Sequence, residues 1–348
     1  MTIYYILLLL VGLISIFTFG IKDKNKRNLN ILVIISFAII ILQGLRKSSV
    51  GVDLFGYLKA LEVAKFLDFV PSVKLLNYEV GYLFYSQFFA KLNVPDQFYI
   101  FIVAVTIIMP ITYIWIKNTK MPGLSVFIYL TLGFFTFTFS GLRQSIALAI
   151  TFFSFKYIQE KKFVKFLLLV LLAMSFHTSA IVFIMAYPLY HFKLNLYHFL
   201  FIIPSLIIVF ILKSQIFVII YKIYRGYKGE IEVTNAYTML IVMIFVLILA
   251  YIFANKEKTN INLNAYRNYM LIAIIFQIFA SQSNMIMRAG YYYFIFITLL
   301  LPEVIQSQRD IKIRIFSTIV VIASLVIFFQ VQTGSGYLNV SPYYFFWE

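Results

Sequence analysis

Arg143 and His177 are the two side chains whose placement most clearly suggests chemistry. Arg143 stands in Ser140-Gly-Leu-Arg-Gln-Ser-Ile-Ala147, at the head of an apolar helix that runs to the basic turn Glu160-Lys161-Lys162. A second apolar helix follows and carries Ser175-Phe-His-Thr-Ser-Ala180 within it. At about 1.5 Å per residue, the first arm covers roughly 25 Å and the return arm roughly 20 Å. The hairpin over Ser140–Ala180 therefore brings a guanidinium and an imidazole to one membrane face. The start of a helix carries positive partial charge and free N–H groups, and arginine adds bidentate donors. Together they suit a phosphate. An imidazole titrates near neutrality and can take a proton from a hydroxyl. Plainer roles stand beside these: Arg143 as an interfacial anchor or the partner of Glu79 or Asp53, and His177 as a hydrogen-bonded residue inside a helix bundle. The run His177-Thr-Ser does not make a triad, because neighbouring side chains on a helix face different ways.

Other polar residues fall at the same face once the chain is threaded through a bilayer. They are Arg46, Asp53, Tyr57, Glu79, Gln144, Arg288 and Tyr291-Tyr-Tyr293. Ionisable groups among membrane spans cost several kcal/mol unless paired or wetted, so a shared depth points to a cavity. Arg46 and Arg288 add cation for an anionic ligand, or snorkel to the interface. Asp53 and Glu79 could accept a proton, orient His177 or neutralise an arginine. Tyr57, Tyr291 and Tyr292 offer faces for sugar rings. Two distant acids are too few oxygen ligands for a metal site. Neither a Walker loop nor an HExxH helix is present, so no metal or other cofactor is expected.

The elements that must position these groups are membrane helices. Of 348 residues, 62% are hydrophobic and 12% charged, far from the balance of a soluble domain. Many apolar runs reach the ~20 residues that cross a bilayer. The net charge of +16 sits mainly in short links between them. This is the positive-inside pattern and does not call for nucleic acid. Without cysteine there are no disulfides or thiolate metal sites. The apolar start, Ile3–Phe19, reads as a first span rather than a removed signal peptide. Placing the basic turns inside puts residues 45–97 outside, with an interfacial helix over Leu54–Leu67 and a re-entrant or interfacial Tyr78–Leu92. Continuous spans are expected over Leu29–Gly44, Phe98–Ile116, Leu124–Phe139, Leu142–Tyr157 and Phe163–Tyr187. Residues 188–236 should hold two crossings or a re-entrant pair, Phe199–Leu212 and Gln215–Tyr224, with Arg225-Gly-Tyr-Lys-Gly-Glu230 outside. Tyr237–Ala254 then runs to a basic link at Asn255-Lys-Glu-Lys. Asn268–Ser281, Gly290–Leu301 and Ile315–Val331 complete the chain, with Arg288 opening the span before the last and the tail 332–348 outside. The fold class is all-α: one polytopic membrane domain over 1–348, with roughly 10–12 transmembrane helices.

The order of these pieces resembles the EpsG family of Wzy-type polysaccharide polymerases. The resemblance rests on Arg46…Gly51-Val-Asp53…Tyr57, Tyr78-Glu-Val-Gly-Tyr82, Ser140-Gly-Leu-Arg-Gln-Ser-Ile-Ala147 and Phe176-His-Thr-Ser-Ala180. Arg288…Tyr291-Tyr-Tyr-Phe294 and Ser341-Pro-Tyr-Tyr-Phe345 continue it. It implies a fold like the GT-C-type membrane glycosyltransferases and an enzyme at the outer face of the bacterial cytoplasmic membrane. The enzyme would join undecaprenyl-pyrophosphate-linked repeat units into capsule, exopolysaccharide or O-antigen, without metal or nucleotide. Donor and acceptor lipid-linked glycans, membrane lipid and a chain-length regulator are the expected partners. A flippase or exporter of the same lipid-linked sugar, an O-acyltransferase of the polymer, and a ligase with a different acceptor are the rival classes.

Overall fold

A computed structural model gives the structure of the chain and describes residues 2–223, 237–253, 261–334 and 337–348. Among these residues there is no strand, and extended backbone pairs in one isolated antiparallel bridge, Arg46 with Phe345. Everything else regular is helix. The chain is an all-α polytopic membrane protein. Its contacts divide it into two compact units, Met1–Ile181 with Arg309–Glu348, and Val182–Gln308.

The first unit holds α1 (Thr2–Phe17), α2 (Lys24–Gly44), α3 (Leu54–Phe66), α4 (Phe69–Leu76), α5 (Val80–Lys91) and α6 (Asp96–Asn118). It continues with α7 (Pro122–Thr131), α8 (Phe134–Phe137), α9 (Leu142–Gln159) and α10 (Phe163–Phe176), and takes up α19 (Ile311–Gly334) from the far end of the chain. The starts follow local rules. Asp23 caps α2 by accepting from the N–H groups of Asn25 and Lys26, and Pro122 opens α7, where its missing N–H costs nothing. Helix α6 packs on α2 and α9, and α9 packs along α10. The expected hairpin is therefore formed. The amide of Gln159 donates to Asn118 at 2.8 Å and joins the two basic turns at one end of this unit.

Helices α2, α6 and α19 are long and apolar enough to cross a bilayer alone. Among the described residues, two bent pairs, Tyr197–Ile211 with Lys213–Ile220 and Asn284–Phe294 with Ile297–Gln306, raise the number to five if each pair is one span. Helices α1, α7, α10 and the later Tyr237–Phe253 are apolar but shorter. Leu9, Ile16 and Phe17 on α1 and Phe316, Ile319 and Ile327 on α19 lie exposed. Hydrocarbon is the solvent in which such surfaces cost nothing.

Fewer uninterrupted spans appear than the apolar runs suggest, because the runs break. Leu124–Phe139 is not one helix. Gly133, at φ +88°, separates α7 from α8 in a conformation open mainly to glycine. Phe163–Tyr187 is interrupted as well. Helix α10 stops at Phe176, His177 is extended at φ −155° and ψ 118°, and a 3₁₀ segment, Thr178–Met185, follows. His177 therefore caps a helix instead of lying within one, which removes the helical geometry assumed for His177-Thr-Ser. Leu54–Phe66 is the expected helix, and Val80–Lys91 is a short helix in the re-entrant or interfacial stretch.

The second unit comprises α11 (Ala186–His191), α12 (Leu196–Ile211), α13 (Lys213–Ile223), α14 (Tyr237–Phe253), α15 (Ile261–Ile278), α16 (Asn284–Ala289), α17 (Tyr291–Phe294) and α18 (Ile297–Gln306). Helix α15 is its core, with α11, α14, α17 and α18 against it. The uncertain stretch is a pair, α12 and α13, bent by 74°. The Arg225–Glu230 segment and the Asn255 link lie outside the described residues. Arg288 lies in the last turn of the short α16, the first piece of the bent pair Asn284–Phe294 and Ile297–Gln306, and so stands at the opening of a broken span and not of a continuous one. Gly290–Leu301 is split between α17 and α18.

Candidate functional site

Glu79 organises the site. It precedes α5 and has extended backbone, φ −63° and ψ 143°. One carboxylate oxygen, Oε2, pairs with Arg143 Nη1. The other, Oε1, lies 2.9 Å from His177 Nδ1 and accepts the Thr178 backbone N–H at 3.3 Å. The Glu79, Arg143 and His177 side chains are 14%, 23% and 25% exposed, so the cluster is sheltered but reachable. Burial alone would push the Glu79 carboxyl up. The hydrogen bond from His177 and the charge of Arg143 outweigh it and hold the group at about 2.

An ionised carboxylate only accepts. His177 therefore carries its proton on Nδ1 and donates it to Glu79. In the neutral ring Nε2 is then an acceptor, and it has no protein partner among the described residues. Arg143 is fixed on three sides. Nη1 goes to Glu79, Nε donates to the Tyr57 hydroxyl at 3.4 Å, and the guanidinium lies 4.5 Å over the Tyr78 ring. Nη2 is left without a protein partner among the described residues. The site thus presents a proton-accepting nitrogen and a cationic N–H donor, joined through one carboxylate.

Packing explains why these residues meet. The α9–α10 hairpin carries Arg143 and His177 to one end, and α5 packs against α10 and α3. Gly81 permits the approach to α10, since a Cβ there would overlap Ser175 in both side chain and carbonyl. Helix α5 is held to α6 by a hydroxyl chain, Tyr99 donating to Tyr82 at 3.1 Å with Ser86 at 2.9 Å. The rings of Tyr57, Tyr78 and Tyr82 lie 5.5 to 5.7 Å apart, and the first two wall the arginine.

The other expected site residues divide. Tyr57 is buried and supports Arg143, so its ring is not an open platform for a sugar. Asp53 is exposed at the head of α3, near Tyr57 and Tyr78, and forms no ion pair among the described residues. Gln144 is buried beside Arg143 in α9. Arg46 is 1% exposed, donates to the Gln43 carbonyl at 3.0 Å and stacks 4.7 Å from the Phe139 ring. Burial pulls its pKa down to about 10, so it stays charged, but it offers nothing to a ligand outside. Arg288, Tyr291 and Tyr292 belong to the second unit. Arg288 and Tyr291 are half-buried, and Tyr292 is wholly buried. Tyr78 and the Thr178 N–H are contributors that sequence reasoning missed. Tyr78 was signalled by its place next to Glu79. The N–H becomes available only because the helix stops before His177. Among the described residues no three His, Asp or Glu side chains gather as metal ligands.

An all-α membrane fold with a paired cation, acid and imidazole at one bundle end defines an integral-membrane protein with a charged site. The EpsG family profile matches residues 29–345, nearly the whole chain, and the chain belongs to that family. The family is associated with Wzy-type polymerases, so the function is polymerase-like and, at that level, glycosyltransferase-like. No curated protein and no solved structure matches the chain.

Proposed function

We propose that the chain is a polysaccharide polymerase that transfers a glycan from a polyprenyl-pyrophosphate carrier to a hydroxyl of a second lipid-linked repeat unit. In this reading the reaction runs at the outer face of the bacterial cytoplasmic membrane. The observation that carries this reading is Glu79 bridging Arg143 and His177, which leaves Arg143 Nη2 and His177 Nε2 open.

In this reading the acceptor hydroxyl attacks the anomeric carbon from the side opposite the phosphate. A carbon–oxygen bond forms as the anomeric carbon–phosphate oxygen bond breaks, and the configuration inverts. The hydroxyl proton passes to His177 Nε2. The bonding electrons leave with the pyrophosphate, whose growing charge Arg143 stabilises. Glu79 keeps His177 in the accepting tautomer, the role a carboxylate plays beside a catalytic imidazole. Because the donor is already activated, the scheme calls for no nucleotide.

The test uses purified protein and lipid-linked oligosaccharide extracted from cells lacking it. Lengthened glycans that disappear with Arg143→Ala support the reading. Transbilayer movement of the lipid-linked unit without lengthening would replace the polymerase with a flippase.

A further inference from the structure

We infer that Ser140 and the C-terminal segment Leu338–Phe346 form a strap that positions Arg143, with Ser140 as a positioning residue. This rests on the polymerase reading of the Glu79 cluster. The Ser140 hydroxyl accepts the Val52 N–H at 3.0 Å and donates to the Leu338 carbonyl at 3.4 Å. Val52 N–H also reaches that carbonyl at 3.2 Å. One buried hydroxyl therefore ties three distant stretches of chain together.

The ties close a loop through the site. Val52 leads into α3, which carries Tyr57. Ser140 leads through Gly141 into α9, which carries Arg143. Tyr57 and Arg143 meet again at the guanidinium Nε. Slack at Ser140 therefore becomes displacement of the guanidinium relative to Glu79 and Tyr57.

The segment is well fastened. Gly51 N–H donates to the Asn339 carbonyl at 3.1 Å, and the Asn339 amide returns to the Ser49 carbonyl at 3.1 Å. Further along, Lys47 and Tyr344 pair at 3.0 Å and Phe346 and Leu45 at 2.9 Å, around the Arg46–Phe345 bridge. The Tyr343 hydroxyl donates to the Leu42 carbonyl at 2.7 Å. Leu338 and Asn339 both have positive φ, +67° and +48°. Leu338 in particular holds an unfavourable conformation, which persists only where the surroundings over-determine it. Buried Arg46 belongs to this strap and not to the ligand-facing set.

The test compares Ser140→Ala, Ser140→Thr and Asn339→Ala in the lengthening assay with extracted lipid-linked oligosaccharide. Ser140→Ala should lower kcat by roughly 10–100-fold, the scale of a 1 Å misplacement, with KM changed by less than about threefold because the lost interaction acts in the transition state. Ser140→Thr should recover most of the rate. Asn339→Ala, at an exposed position, should show a smaller loss of the same kind and decides the matter if Ser140→Ala does not fold. Normal kcat in Ser140→Ala, equal losses in the Ala and Thr variants, or, where Ser140→Ala does not fold, normal kcat in Asn339→Ala would overturn the strap. Arg143→Ala is the control: if it lengthens glycans normally, the polymerase reading of the cluster falls whatever Ser140 does.

Discussion

Replacing Glu79 by Gln keeps the size and removes the charge. A carboxyl held at about 2 instead of 4.5 favours the ionised, paired site by about 3 kcal/mol at neutral pH, at about 1.4 kcal/mol per pH unit. The same figure follows from breaking a sheltered ion pair, about 3–5 kcal/mol, at its lower end because Arg143 is 23% exposed. The amide also forces a choice. If its oxygen faces His177, its NH₂ opposes the Arg143 donors. If its NH₂ faces His177, Nδ1 must accept and the ring proton moves to Nε2, where a base cannot use it. Loss of an oriented base costs about 10²–10⁴ in rate. Glu79→Gln should therefore lengthen glycans at least about 100-fold more slowly and melt roughly 4 °C lower in detergent. In a His177→Ala background the same substitution should add only a few-fold to the rate loss, since both act through one dyad. Full activity in Glu79→Gln, or losses that multiply in the double variant, would refute the reasoning.

The remaining predictions are narrower. Arg143→Lys keeps a cation but cannot reach Glu79, Tyr57 and an outside oxygen at once, so lengthening should fall by about 100-fold or more; near-normal rates would argue for a point charge alone. Gly81→Ala drives a methyl into Ser175 and should separate α5 from α10, cutting activity and costing about 1–3 kcal/mol of stability; an unchanged melting temperature and rate would show that the helices slide freely. Because folding lowers the Glu79 pKa from 4.5 to about 2, its stabilisation is fully present above 4.5 and is lost as pH falls towards 2. The melting-temperature gap between wild type and Glu79→Gln should be constant between about pH 6 and 8 and shrink towards pH 3. A gap that stays constant in acid would remove the ionised pair.

The hairpin was legible because its signals are local. Apolar runs fixed the arms, Glu160-Lys161-Lys162 fixed the turn, and helical rise then put Arg143 and His177 at one end. Pairing of Arg143 with Glu79 was among the readings the residue types allowed. The helix break at His177 was not legible, because Phe-His-Thr-Ser contains neither Gly nor Pro, and the break is stabilised by distant Glu79 through the Thr178 N–H. The residue types and positions of Tyr57 and Arg46 suggest side chains that reach outward. Tertiary packing turned the first onto Arg143 and buried the second against the Phe139 ring, where its backbone bridges to Phe345. Gly133 shows the same limit: a glycine in an apolar run is compatible with a span, and only its φ shows that the run is divided.

Glu79 serves two cations through one carboxylate, and this has a temporal consequence in the proposed chemistry. While His177 is neutral, Arg143 is the stronger claimant on the acid. Once the ring has taken the acceptor's proton, the new imidazolium on Oε1 draws on the charge of the same carboxylate, and the hold of Oε2 on the guanidinium slackens. Arg143 is then released towards the departing phosphate just as negative charge gathers there. Deprotonation of one substrate and relief of the other are thereby synchronised by a single shared anion.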